Sequence, residues 1–284
     1  MRYGVNAFIW TAAFGEADLP ILPAIRAHGF DGVEVPIFAP ANFPAAVIRR
    51  GMAENGLACT VCTVLANGLH IGAPDAAVRR RTLEHWSASI QAVAEAGSTL
   101  LAGPLYSPVG YFTGVRRTSD EWKYAVDGFR ELAPVAARHG ITLAIEPLNR
   151  FETYFLNTAA DAAALCAEVC HPHVGVLFDT FHANIEEKDI GRSFRTVAPY
   201  LKHVHMCEND RGAPGSGHVE WDAVFAALRD TGYDGWLTIE SFGFALGGIS
   251  AAASIWRDLA PSPEAIAWDG LAFLKRRVAA ATAG

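Results

Sequence analysis

The sequence predicts a closed (β/α)8 barrel on three observations. Eight short β-rich runs alternate with longer, alanine-rich stretches of helical periodicity. The chain has 284 residues, and eight strand–helix units need about 250. The segment after the first strand, Ala7–Gly15, lacks the glycine-rich phosphate loop that a doubly wound open sheet would carry there.

Taken in order, the strand-like runs are Gly4–Ile9, Gly32–Val35, Ala58–Leu65, Thr99–Gly103, Thr142–Glu146, Val174–Asp179, Lys202–His205 and Gly235–Glu240. Helices fill the intervals, and one more follows the last strand. Thr118-Ser119-Asp120-Glu121 supplies cap-type residues and early acids ahead of a helical stretch over Trp122–His139, and Gly140 closes it. The same glycine stop recurs at His28-Gly29, Asn55-Gly56, Ala96-Gly97 and Thr231-Gly232, each just before a strand.

Composition bounds the function. With 51% hydrophobic and 19% charged residues, the chain reads as one large domain over 1–284. A net charge of -7 and a pI near 5.8 argue against a nucleic-acid-binding surface. Five cysteines scattered through apolar segments, Cys59, Cys62, Cys166, Cys170 and Cys207, suit reduced thiols in a cytoplasm and predict no structural disulfide. Met1 runs into a strand without the marks of a secretory signal, and the apolar Ile249–Ile255 is too short to span a bilayer. A cytoplasmic protein with no membrane partner is expected.

In a barrel of this type the active site lies at the C-terminal ends of the strands, so the polar residue ending each apolar run is the one to inspect. Four qualify: Glu146, Asp179, His205 and Glu240, from the fifth to the eighth strands. Any one carboxylate in such a position is commonly just a helix cap or a solvated loop charge. Three carboxylates converging out of water would repel one another strongly unless a cation sat between them. Three oxygen ligands and one imidazole suit Mn2+, Co2+ or Mg2+ better than the sulfur-rich sets of structural zinc. His203, two positions before His205, shares its face and is assigned to the barrel core or to supporting His205.

Loop residues follow the same strand ends. Glu152 and Asn157 come after Glu146, His182 after Asp179, and Glu208, Asp210 and Arg211 after His205. Of these, His182 and Arg211 are the preferred partners for a developing oxyanion. Cys59-Thr-Val-Cys62 has redox-motif spacing but sits inside an apolar strand and reads as core packing. Arg79-Arg80-Arg81 reads as a solvated helix face. Asn6, Phe8 and Trp10 belong either to the mouth or to the core.

Several longer segments carry a family signature. They are Ile145-Glu146-Pro-Leu-Asn-Arg-Phe-Glu152-Thr-Tyr-Phe-Leu-Asn-Thr158, Phe178-Asp179-Thr-Phe-His182, His203-Val-His205 through Arg211 to His218, and Ile239-Glu240-Ser-Phe242. In these the chain resembles the ketose 3-epimerases, the group of D-tagatose, D-allulose and L-ribulose 3-epimerases within the xylose-isomerase-like barrels. The resemblance implies that Glu146, Asp179, His205 and Glu240 ligate a divalent metal and that Glu146 and Glu240 are also the acid/base pair. It implies that Glu152, His182 and Arg211 bind the oxygens at carbons 1 and 2, and that the protein is a homo-oligomer, dimer or tetramer. The expected reaction is epimerisation of a free ketose at carbon 3 through a cis-enediolate. An aldose–ketose or hydroxypyruvate-type isomerase on the same barrel, and a non-catalytic sugar-binding protein, are the alternatives. A barrel endonuclease would need more metal ligands and a basic groove.

Overall fold

The computed structural model describes residues 1–244 and 246–282, so the domain range 1–284 extends, at Ala245, Ala283 and Gly284, outside the described residues. Eight parallel strands close into a barrel in sequence order. They are β1 (Arg2–Asn6), β2 (Gly32–Pro36), β3 (Ala58–Cys62), β4 (Leu100–Gly103), β5 (Thr142–Ile145), β6 (Val174–Asp179), β7 (Leu201–His205) and β8 (Trp236–Ile239). Helices connect them, and Pro263–Thr282 packs back after the last.

Alternation along each strand sorts the side chains into two environments. Val5, Val33, Val35, Val61, Leu101, Leu143, Ile145, Val176, Phe178, Val204, Leu237 and Ile239 join one large cluster with the helices, so they face outward. Leu100, Ala102, Ala144 and Leu177 form a separate small cluster, the apolar part of the barrel interior. Further inward positions are polar, among them Asn6, Glu34, Thr60, His203 and Thr238, all buried. A wholly apolar interior would stabilise the barrel more simply; this one is built around charge.

Five strands end elsewhere than the sequence reading places them, β2 one residue later, at Pro36. β1 stops at Asn6 because its Oδ1 accepts the Phe8 N–H at 2.9 Å and turns the chain into a 3-10 helix over Ala7–Ile9. β3 stops at Cys62, three residues early. β5 and β8 each end one residue before their glutamate. The expected helix closures all occur, and the helix after β4 runs over Ser119–Arg138 with a Thr118/Glu121 capping box. Gly103 has φ 131, and a Cβ there would lie 2.2 Å from the Thr63 carbonyl oxygen, so only glycine lets the end of β4 approach the loop after β3.

A hydrogen-bonded relay ties three of the mouth's segments together. His70 Nδ1 accepts the Gly72 N–H at 2.9 Å, so the neutral ring keeps its proton on Nε2, 3.1 Å from the Tyr154 hydroxyl. Tyr154 in turn donates to Glu121 at 2.6 Å. Burial pushes His70 down to about 4, below its ordinary 6.5. The unfolded chain therefore binds one more proton than the folded chain between those values, and stability falls as pH drops from about 6.5 to about 4. Urea unfolding should show this as an extra slope of up to about 1.4 kcal/mol per pH unit relative to His70→Gln. Equal slopes for the two proteins would remove His70 from the account.

Candidate metal centre and active site

Glu146 and Glu240 follow β5 and β8 directly and keep the inward parity of Ala144 and Thr238. Asp179 and His205 end β6 and β7 and are partners in register. Four strands thus deliver four buried side chains whose ligand-type atoms all lie within 4.8 Å of one another. His205 Nδ1 is 3.3 Å from Glu240 Oε1, 3.8 Å from Glu146 Oε1 and 3.8 Å from Asp179 Oδ2. Ligands about 2.1 Å from a common ion stand about 3 to 4.2 Å apart, so the spacing fits a cation.

Asp179 combines the bland reading with the functional one. Its Oδ1 accepts the Phe181 N–H at 2.6 Å and caps the helix Thr180–Glu186, while Oδ2 turns towards the cluster. Among the described residues, Glu146 Oε1 and His205 Nδ1 have no hydrogen-bond partner although both are buried. Such orphans cost about 1–3 kcal/mol each. An ion between them would satisfy both.

The charges respond accordingly. Burial and then the neighbouring Glu240 push the Glu146 carboxyl well above its ordinary value. Burial pushes Glu240 up as well, but His205 and Arg211 outweigh it and hold that carboxyl below its usual value. Burial alone would push His205 down; Glu240 and Glu34 outweigh it and raise it well above 6.5. Without a metal, protons thus take up part of the charge an ion would balance.

Around this cluster opens a cavity lined by Glu146, His205 and Glu240 together with Glu152, His182 and Arg211. Asn149 holds two of these residues. Its backbone N–H donates to His182 Nδ1 at 3.1 Å, and its Nδ2 donates to Glu152 Oε1 at 2.8 Å. Burial pushes His182 down to about 3, so it is a neutral imidazole. Nδ1 is thus occupied as acceptor, while Nε2 faces the cluster, 3.7 Å from Glu146 Oε1 and 3.3 Å from Arg211 Nη2.

Arg211 donates through Nη1 to Glu240 at 2.7 Å and to Asp179 at 3.2 Å, and its guanidinium lies 3.7 Å above the Phe181 ring. Its backbone has φ 67, a left-handed conformation that costs a non-glycine residue about 1–2 kcal/mol. The Ser241 hydroxyl donates to its carbonyl and helps hold it there. Phe8, Phe38, Val109, Leu148, Phe242 and Ile249 make much of the remaining wall apolar. Ile249 belongs to a short helix, Gly248–Ala252, within the apolar stretch that the sequence marks as too short for a membrane. No helix among the described residues is long and apolar enough to cross one.

Residues 22–277 match the xylose isomerase-like TIM barrel family. The chain is 35% identical to the D-psicose 3-epimerase of Agrobacterium fabrum over 88% of its own length and 86% of that protein's. The chain belongs to the ketose 3-epimerase family. It is also 31% identical to the L-ribulose 3-epimerase of Mesorhizobium japonicum, over 96% and 93% of the two chains. The solved structure of a Methylomonas D-allulose 3-epimerase in complex with D-allulose matches with a TM-score of 0.91 at 28% identity, covering 98% of this chain and 97% of that one.

Within this family framework, some residues read from the sequence fall away from the cavity. Glu208 is fully buried but braces the loop after β7, accepting from Gly215 N at 2.7 Å, Val219 N at 3.0 Å and Trp221 Nε1 at 2.9 Å. Asn157 donates to the Leu148 and Thr153 carbonyls and holds the loop after β5. Asp210 pairs with Arg257 at 3.0 Å. Phe8 lines the cavity, whereas Trp10 lies in a separate one. All five cysteines are free, and burial pushes the Cys59 thiol up to about 12, which suits core packing.

Two residues of the site escaped sequence reasoning. Asn149 stands two places past Pro147, and an asparagine there carries no signal of which side chains it will hold. Glu34 was visible in principle, as the one charge in the apolar strand Gly32-Val-Glu-Val-Pro36. Burial pushes its carboxyl up, but His205 and His203 outweigh it and hold it below its ordinary value.

Proposed function

We propose that the protein is a divalent-metal-dependent ketose 3-epimerase in which Glu146 and Glu240 are the two acid/base groups. The observation that carries this reading is the convergence of Glu146, Asp179, His205 and Glu240 within 4.8 Å beside a cavity that also presents Glu152, His182 and Arg211. A bound Mn2+, Co2+ or Mg2+ held by those first four would act as a Lewis acid towards the carbonyl and the developing negative charge. Everything else falls to the chain's own side chains.

Epimerisation at carbon 3 requires a proton to leave one face of the sugar and return to the other. Glu146 and Glu240, delivered by β5 and β8, can each serve one face, so the enediolate need not turn over. His182 Nε2 and Arg211 Nη2, 3.3 Å apart, address the oxygens at carbons 1 and 2, where Arg211 adds positive charge, and Glu152 accepts from a substrate hydroxyl. The names of the relatives support D-allulose- and L-ribulose-type ketoses, with D-tagatose and D-fructose in the same class.

Testing this takes a panel of free ketoses incubated with Mn2+-loaded protein, the products being identified by chromatography. Each accepted ketose should yield its carbon-3 epimer. Aldose products instead would turn the reading to an isomerase, and binding without conversion would leave only a sugar-binding protein.

The whole chain is proposed as one barrel domain acting in a reducing cytoplasm, a reading supported by its free thiols. A second copy of the chain is the proposed cover for Tyr111, Phe112 and Phe151, which are 45%, 48% and 73% exposed on loops joined by a Tyr111–Thr153 bridge. Light scattering should give a dimer or a tetramer. A monomer at micromolar concentration would remove the oligomer from the proposal.

A further inference from the structure

Beyond the four proposed ligands, the barrel interior holds a further buried carboxylate that has no part in the chemistry above. Glu34 lies on β2, on the far side of β1 and β8 from β7, and is fully buried. Its Oε1 is 2.8 Å from His205 Nε2 and accepts Asn6 Nδ2 at 3.0 Å. Its Oε2 accepts the Thr60 hydroxyl at 3.3 Å and stands 2.8 Å from His203 Nε2. Asn6 is itself oriented, because its Oδ1 is taken by the Phe8 N–H at 2.9 Å and only its amide nitrogen can face Glu34. Side chains from β1, β3 and β7 thus hold this carboxylate in place, and it addresses the one proposed ligand that has two tautomers.

We propose that Glu34 is a positioning residue for the metal centre: by accepting a hydrogen bond from the His205 Nε2–H it fixes the tautomer that leaves the Nδ1 lone pair for the ion. The proposal rests on the reading that Glu146, Asp179, His205 and Glu240 hold a divalent ion. A neutral imidazole has one N–H and one lone pair, and only one assignment serves a metal on the Nδ1 side. An acceptor fixed at Nε2 selects that assignment, sets the ring plane and raises the basicity of Nδ1. His203 and Glu34 together with His205 could instead be read as a second cation site. The 2.8 Å contact between His205 Nε2 and Glu34 is of hydrogen-bond length, and the orphaned His205 nitrogen is Nδ1, which points at the other cluster. Both favour the positioning role.

The test is Mn2+ binding to metal-free wild type and Glu34→Gln, followed by calorimetry. Glutamine keeps the shape and an acceptor oxygen but loses the charge. The dissociation constant should rise by about 10- to 100-fold with one ion per chain in both proteins, while the melting temperature of the metal-free variant stays near that of wild type. A constant within twofold of wild type overturns the proposal, as does a wild type that takes two ions of which Glu34→Gln loses one. A second measurement needs no variant: in Mg2+-loaded protein with 15N-labelled histidine, NMR should find His205 protonated on Nε2 and not on Nδ1, and the opposite tautomer overturns the assignment. Failure of wild type itself to bind Mn2+ sinks the metal reading first and is distinguishable from both.

Discussion

Stripping divalent metal from the protein with a chelator should lower turnover on its best ketose by at least about a thousandfold, and Mn2+ or Co2+ should restore it. A Lewis acid at a developing enediolate contributes several kcal/mol, and about 4 kcal/mol is a thousandfold in rate. This chain offers no ready substitute. Among the described residues Arg211 is the only buried arginine near the cluster, and it already donates to Glu240 and Asp179. Among the described residues, Glu146 Oε1 and His205 Nδ1 meanwhile have no hydrogen-bond partner. Removal should also cost stability, because three buried carboxylates must then share what positive charge remains. The check is a steady-state assay on protein whose metal content has been measured; full turnover by metal-free protein would end the metal-dependent account.

Glu146→Gln and Glu240→Gln should each lower epimerisation by about 100- to 10,000-fold, the range for losing one positioned acid/base group. The double variant should be little worse than either single one, since a reaction that needs two bases is already blocked by losing one. Each single variant keeps one base. It should therefore still exchange the carbon-3 proton of one of the two epimers with heavy water, and the other variant should exchange that of the opposite epimer. Both residues are proposed ligands, so metal content has to be measured beside the rate. A variant that keeps its metal and turns over normally would remove that glutamate from the acid/base pair.

Much of this architecture was legible because strand parity and strand ends are sequence properties. Glu146, Asp179, His205 and Glu240 stand out as the polar residues that close strand-like runs, and the barrel's geometry turns those four positions to one place. What was not legible depends on contacts between residues far apart in the chain. Glu34 meets His205 across 171 positions, and nothing near Gly32–Pro36 announces that partner. Glu208 looks like a mouth residue by position, yet the turn at Gly215–Val219 brings backbone N–H groups to it and makes it a brace. The early end of β1 follows from one local hydrogen bond, Phe8 N–H to Asn6, that competes with the sheet ladder.

The central claim is that two glutamates on opposite sides of one ketose move the carbon-3 proton, and the most direct measurement is the fate of that proton in heavy water at early conversion. The account predicts deuterium at carbon 3 of the epimerised product, because the donating glutamate is equilibrated with solvent, and much less label in recovered substrate. Product that forms without deuterium, under conditions where exchange of the donor is fast, would contradict it.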